Sequence, residues 1–128
     1  MIMGYANPFA AASRAYGRVH HSGISGRSAE AEAFARAAAM LRDANARPAD
    51  RKALAKALGF NQKLWTIMQA EVSDPTHPAP EAMRQDMLAL ARFMDRATAD
   101  ALNTPRPRLD AMIDVNVSLS SGLFARPA

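Results

Sequence analysis

The sequence predicts an all-α protein: a compact bundle of about five helices forming one domain over residues 1–128. Three observations lead there. Alanine is abundant, methionine is high at 8 and β-branched residues are few, so intrinsic propensity favours helix outside the Pro and Gly clusters. Large apolar residues recur at Leu54, Leu58, Trp65, Met68 and Val72, the three-and-four spacing of a helix buried along one side. Proline and glycine clusters punctuate the chain at intervals that suit helices joined by short loops.

The first helix is expected from Tyr5 to Arg18, with Asn7 as N-cap, Pro8 in the first turn and a stripe of Phe9, Ala12 and Tyr16. A flexible loop is expected near 19–27, where His20, His21, Gly23 and Gly26 cluster. Ser28 caps the second helix, Glu30 and Glu32 suit the positive end of its dipole, and Phe34, Ala38 and Leu41 form its buried stripe. Asn45 to Arg47 make a turn, and Pro48 opens a third helix that runs to about Val72. Leu64 and Ile67 widen its apolar face. Gly59 lies inside it at a cost of ~1 kcal/mol relative to alanine, so a bend or short break is expected there. The indole N–H of Trp65 needs a partner when buried, and Asn61, one turn earlier, is the candidate.

Ser73 to Ala79 is a proline-broken connection, after which Pro80-Glu81 starts a fourth helix carrying Met83, Met87, Leu90, Met94, Ala97 and Ala101, flanked by Leu88 and Phe93. Asn103 to Pro107 stops it. From about Arg108 a last helix aligns Leu109, Met112, Ile113, Asn116, Leu119 and Leu123, ended by Gly122 and Pro127.

Composition narrows the function. The absence of cysteine excludes disulfides, thiolate zinc sites and cysteine nucleophiles. Without a long apolar run or a signal-like start, a cytoplasmic protein with no membrane contact is expected. The formal charge of +4 is uneven: residues 1–66 carry ten Lys/Arg against four Asp/Glu, and 67–128 carry six against eight. Such asymmetry guides an acidic partner to the first half, and solvated helix faces produce the same count.

No residue pattern supplies catalysis. Adjacent His20 and His21 lack the separation of four that helical metal chelation uses, Asp110 and Asp114 read more simply as a solvated face than as paired catalytic carboxylates, and no serine has a base held nearby. The protein is therefore expected not to be an enzyme, with no metal and no cofactor. Lys52, Lys56 and Lys63, with Arg51 and Arg47 close by, form a basic side of the third helix. It reads either as a solvated face or as a contact for RNA or another acidic partner, although aromatics interleaved for base stacking are missing. The methionines at 83, 87, 94 and 112 suit an irregular core and equally an adaptable groove for a partner helix.

Two runs taken together, Ala57-Leu58-Gly59-Phe60-Asn61-Gln62-Lys63-Leu64-Trp65 and Arg84-Gln85-Asp86-Met87-Leu88-Ala89-Leu90-Ala91-Arg92-Phe93, resemble the FlaF family of flagellar biosynthesis regulators, which carry A-L-x-x-N-x-x-L-W and then R-x-x-L-x-x-L-x-x-F. The resemblance extends to Tyr16, Arg27, Glu30 and Glu32 upstream and to Leu109, Ile113, Asn116, Gly122 and Leu123 downstream. Gln62, Ala79 and Val117 depart from the family's usual arginine, leucine and arginine.

The resemblance implies a small cytoplasmic protein that binds flagellin and promotes its synthesis or export. As a secretion chaperone it would shield monomeric flagellin, with Asn61, Leu64, Trp65, Met68, Leu88 and Phe93 as candidate contacts. The alternative is a post-transcriptional regulator acting on flagellin mRNA, directly through Arg51, Lys52, Lys56 and Lys63 or with a FlbT-like partner.

Overall fold

The computed structural model describes residues 24–124, and they form four α-helices: α1 (Ile24–Ala46), α2 (Arg51–Ser73), α3 (Glu81–Leu102) and α4 (Asp110–Phe124). The all-α bundle is as expected. The helix anticipated over Tyr5 to Arg18 and the first part of the loop near 19–27 lie outside the described residues.

Residue pairs along the interfaces fix the directions. Ala31 and Asn45 of α1 meet Ser120 and Asp110 of α4, Phe34 and Arg36 of α1 meet Trp65 and Phe60 of α2, and Arg51 and Asn61 of α2 reach Leu102 and Met94 of α3. Each of these partners is therefore antiparallel. The most extensive packing is of α1 on α4, followed by α2 on α3 and α1 on α2. The core is aliphatic and sulfur-rich: Phe34, Leu41, Leu58, Met87, Leu90 and Leu119 are all fully buried.

Several expected boundaries move. Helix α1 begins at Ile24 rather than after a Ser28 cap, so residues 24–27 are helical and not loop. Once a helix this rich in alanine is nucleated, extending it through Gly26 costs only about 1 kcal/mol. Asn45 belongs to the last turn of α1 rather than to a turn of its own. Pro48 sits in the connecting turn, and Asp50 is the N-cap of α2, its carboxylate accepting the Ala53 N–H at 2.9 Å. Asp50 also fixes Arg47 at 3.0 Å, and Asp43 pairs with the same guanidinium, keeping it more firmly protonated than usual.

Of the bend or short break expected at Gly59, no break occurs. Helix α2 runs unbroken from Arg51 to Ser73, because packing of its buried side outweighs one glycine. At the other end of α2, Asp74 accepts hydrogen bonds from the Thr76 N–H at 2.9 Å and the Thr76 hydroxyl at 2.8 Å. These hold its carboxyl below the usual range. The Ala79 N–H donates to His77 Nδ1 at 3.1 Å before α3 begins, and Arg84 donates back to the Ala79 carbonyl at 3.2 Å. Gly122 does not end the last helix, which continues to Phe124.

Candidate functional site

Trp65 is 2% exposed and meets Phe34 edge-on with ring centroids 5.6 Å apart. Its indole partner is not Asn61. The Nε1–H donates to Asn116 Oδ1 on α4 at 3.0 Å, Asn116 Nδ2 donates to Asn61 Oδ1 at 2.7 Å, and Asn61 Nδ2 points to Met94 Sδ at 3.4 Å. One chain of polar contacts thus ties α4, α2 and α3 together inside the core. Asn61 and Asn116 are both completely buried, so each contact replaces hydrogen bonds that water would otherwise supply. Local helix spacing pointed to Asn61 because it lies one turn away; the closer acceptor is 51 residues distant in sequence.

Burial divides the candidate partner contacts. Asn61, Leu64, Trp65 and Met68 are buried, whereas Leu88 and Phe93 are half-buried and reach the surface from α3. Ile67, expected to widen the buried face, is 52% exposed. The methionines at 83, 87, 94 and 112 are all buried core residues, and of the four Met112 also lines an opening between α3 and α4. This apolar opening lies between consecutive helices that approach each other little. Its volume is about 230 Å³, and Phe93, Ala97, Ala101, Pro107 and Met112 line it, with Asp100 and Arg108 at the rim. A larger one, about 480 Å³, lies where Ala29, Ala33 and Ala35 of α1 meet Phe60 of α2.

The basic face also divides. Arg51 is committed to the fold: its guanidinium donates to the carbonyls of Leu102 at 3.2 Å, Thr104 at 2.9 Å and Pro105 at 3.3 Å, closing the C-terminal end of α3. Arg47 is held by Asp43 and Asp50. That leaves Lys52, Lys56 and Lys63, all exposed, as the cations of α2 that no ion pair among the described residues engages.

Two features escaped the sequence. Asn45 of α1 accepts the Leu109 N–H at 3.0 Å and donates to Asp110 at 3.2 Å, thereby capping α4 from another helix. Asp110 also binds Arg108 at 3.0 Å, so it is not paired with Asp114. Glu30 of α1 faces Glu71 of α2. Burial, the charge of Glu71 and a side-chain hydrogen bond between the two raise the Glu30 carboxyl to about 8. Only the acidic residues near a helix start were legible; their partners across the interface were not.

Among the described residues no group of three or more His, Asp or Glu is arranged to hold a metal, and no helix is long and apolar enough to cross a membrane. Comparison with protein families matches residues 12–123 to the family described as flagellar protein FlaF. No curated protein and no solved structure matches the chain.

Proposed function

This chain belongs to the FlaF family of flagellar proteins, and on that premise we propose that it binds monomeric flagellin in the cytoplasm, shields it and promotes its synthesis or export. It acts by binding and not by catalysis. The observation that carries the reading is the extent of the family match, which includes α1, α2, α3 and all of α4 but its last residue. Geometry supports it with the opening between α3 and α4, an apolar cleft beside which Phe93 is half-buried and accessible from outside.

Contact with flagellin then falls to Leu88 and Phe93. Asn61, Leu64, Trp65 and Met68 act from within, holding α2 and α3 in register so that the cleft keeps its shape. Calorimetric titration with purified flagellin gives measurable heat and micromolar or tighter affinity, about −8 kcal/mol or better. Phe93→Ala weakens it while the bundle stays folded. Absence of heat and of co-migration overturns the reading.

The second reading is direct contact with flagellin mRNA, alone or beside a FlbT-like partner, and the three exposed lysines of α2 favour it. Its signature is log affinity falling by roughly 0.7 per neutralised phosphate per decade of salt. A gel shift with the flagellin leader RNA that stays unshifted at low salt removes the direct form.

A further inference from the structure

We propose that the outer face of α2 is a second docking surface, for an acidic amphipathic helix of a protein partner. From Arg51 to Ala70 the helix carries no acidic residue. Lys52, Lys56 and Lys63 are exposed along it, and Ile67, the most exposed large apolar side chain of the described residues, follows Lys63 by four positions. Steps of four, seven and four place these four residues on one stripe. At 1.5 Å per residue the stripe is about 22 Å long, roughly four helical turns of a partner. Asp43 and Asp50, which share a surface depression with Lys52 and Lys56, are both engaged by Arg47 and form no ion pair with either lysine.

A different kind of observation points the same way. Gly59 lies exposed between Lys56 and Lys63, and a Cβ added there meets nothing within 4 Å. The fold does not require a glycine at this position and carries its helix penalty regardless. Ala55, Thr66 and Ala70 are exposed beside it, so the backbone of another helix can approach α2 closely over Gly59 while its carboxylates meet the lysines and an apolar residue covers Ile67. Charge complementarity plus an apolar contact favours an acidic helix over RNA. Phosphates have no use for Ile67, and Phe60, the residue after Gly59, is half-buried with the Arg36 guanidinium already over its ring at 5.3 Å.

The probe is a fluorescein-labelled acidic peptide of about 20 residues, with Glu and Leu placed at helical spacing to match the stripe. Binding to the full chain is read by anisotropy at about 50 mM NaCl, where screening is weak. A peptide of the same composition in scrambled order and a single-stranded RNA of similar length are the comparators. The helical peptide binds more tightly than both. Lys52→Glu, Lys56→Glu and Lys63→Glu together weaken it by about tenfold or more, and Ile67→Ser weakens it by roughly threefold. Gly59→Leu separates docking from folding: it raises the melting temperature, because leucine is the better helix former, and it weakens peptide binding by blocking close approach. Equal binding of the scrambled peptide, tighter binding of the RNA, or a Gly59→Leu protein that binds as well as the unaltered chain overturns the proposal.

Discussion

Asn116→Ala tests whether the buried polar chain holds the bundle together. The substitution removes the acceptor of the Trp65 N–H at 3.0 Å and the donor to Asn61 Oδ1 at 2.7 Å. Both groups left behind are in a region with essentially no solvent access, and each buried unsatisfied group costs about 1–3 kcal/mol. Lost packing around the removed amide adds to this, so a total near 4 kcal/mol is expected, a large fraction of the ~5–15 kcal/mol available to a domain. Trp65 is the only tryptophan, so its fluorescence reports urea unfolding from the network itself. Asn61→Ala orphans only the Asn116 amide and costs about 1–3 kcal/mol plus a packing term. The double variant then falls short of the sum of the two by about 1 kcal/mol or more, because the Asn61 carbonyl is no longer left waiting for a donor. A cost below about 1 kcal/mol for Asn116→Ala, or additivity within ~0.5 kcal/mol, would refute the reasoning.

Four other outcomes follow from the same geometry. Glu30, raised from 4.5 to about 8, is protonated in the folded state where the unfolded chain is ionised. Its contribution to stability is therefore fully present below pH 4.5 and is lost as the pH rises through about 8; urea midpoints across that window fall in the parent and flatten in Glu30→Gln, and parallel curves would contradict the assignment. Gly59→Ala raises stability by about 1 kcal/mol, measured by thermal unfolding, since nothing obstructs the added methyl. Arg51→Ala costs about 1–2 kcal/mol through the three carbonyls it leaves at the end of α3, whereas Lys52→Ala stays within about 0.5 kcal/mol. Asp50→Ala loses the cap of α2 and costs ~1 kcal/mol by chemical denaturation.

Repeating apolar positions made the helices legible, and for α2 and α3 the buried residues are largely those the spacing selects. What the spacing could not reveal was which polar side chain serves which helix. Asn61 and Asn116 each occupy an ordinary core-facing position, and neither sequence neighbourhood marks them as a pair 55 residues apart. Arg51 is a similar case. From sequence it belongs with the lysines that follow it, but its position opposite the end of α3 turns a surface cation into a helix cap. Ile67 is apolar and adjacent to core positions, so composition alone groups it with the buried face; its angle on the helix carries it past the rim of that face. The cleft beside Phe93 was illegible for another reason, since it depends on how little α3 and α4 approach each other.

These placements separate what the tryptophan motif does from what the surface does. Met68, Met87 and Met94 are flexible side chains that fill gaps without specifying orientation, so a core built from them needs another device to select one arrangement of helices. The Trp65–Asn116–Asn61 chain supplies it: a rotation of α2 or α4 that shifts either asparagine by one helical position leaves buried donors and acceptors unpaired, at about 1–3 kcal/mol apiece. A sulfur-rich core with no such constraint would tolerate several helix registers, and the α3–α4 cleft and the lysine stripe would then lack a fixed shape. The buried Trp65–Asn61 part of the motif is thus placed to set the geometry of the cleft and the lysine stripe without being exposed in either. For that reason Asn61 and Asn116 variants are expected to alter partner binding only to the extent that they loosen the bundle, while Phe93, Lys56 and Ile67 variants alter it in proteins that unfold like the parent.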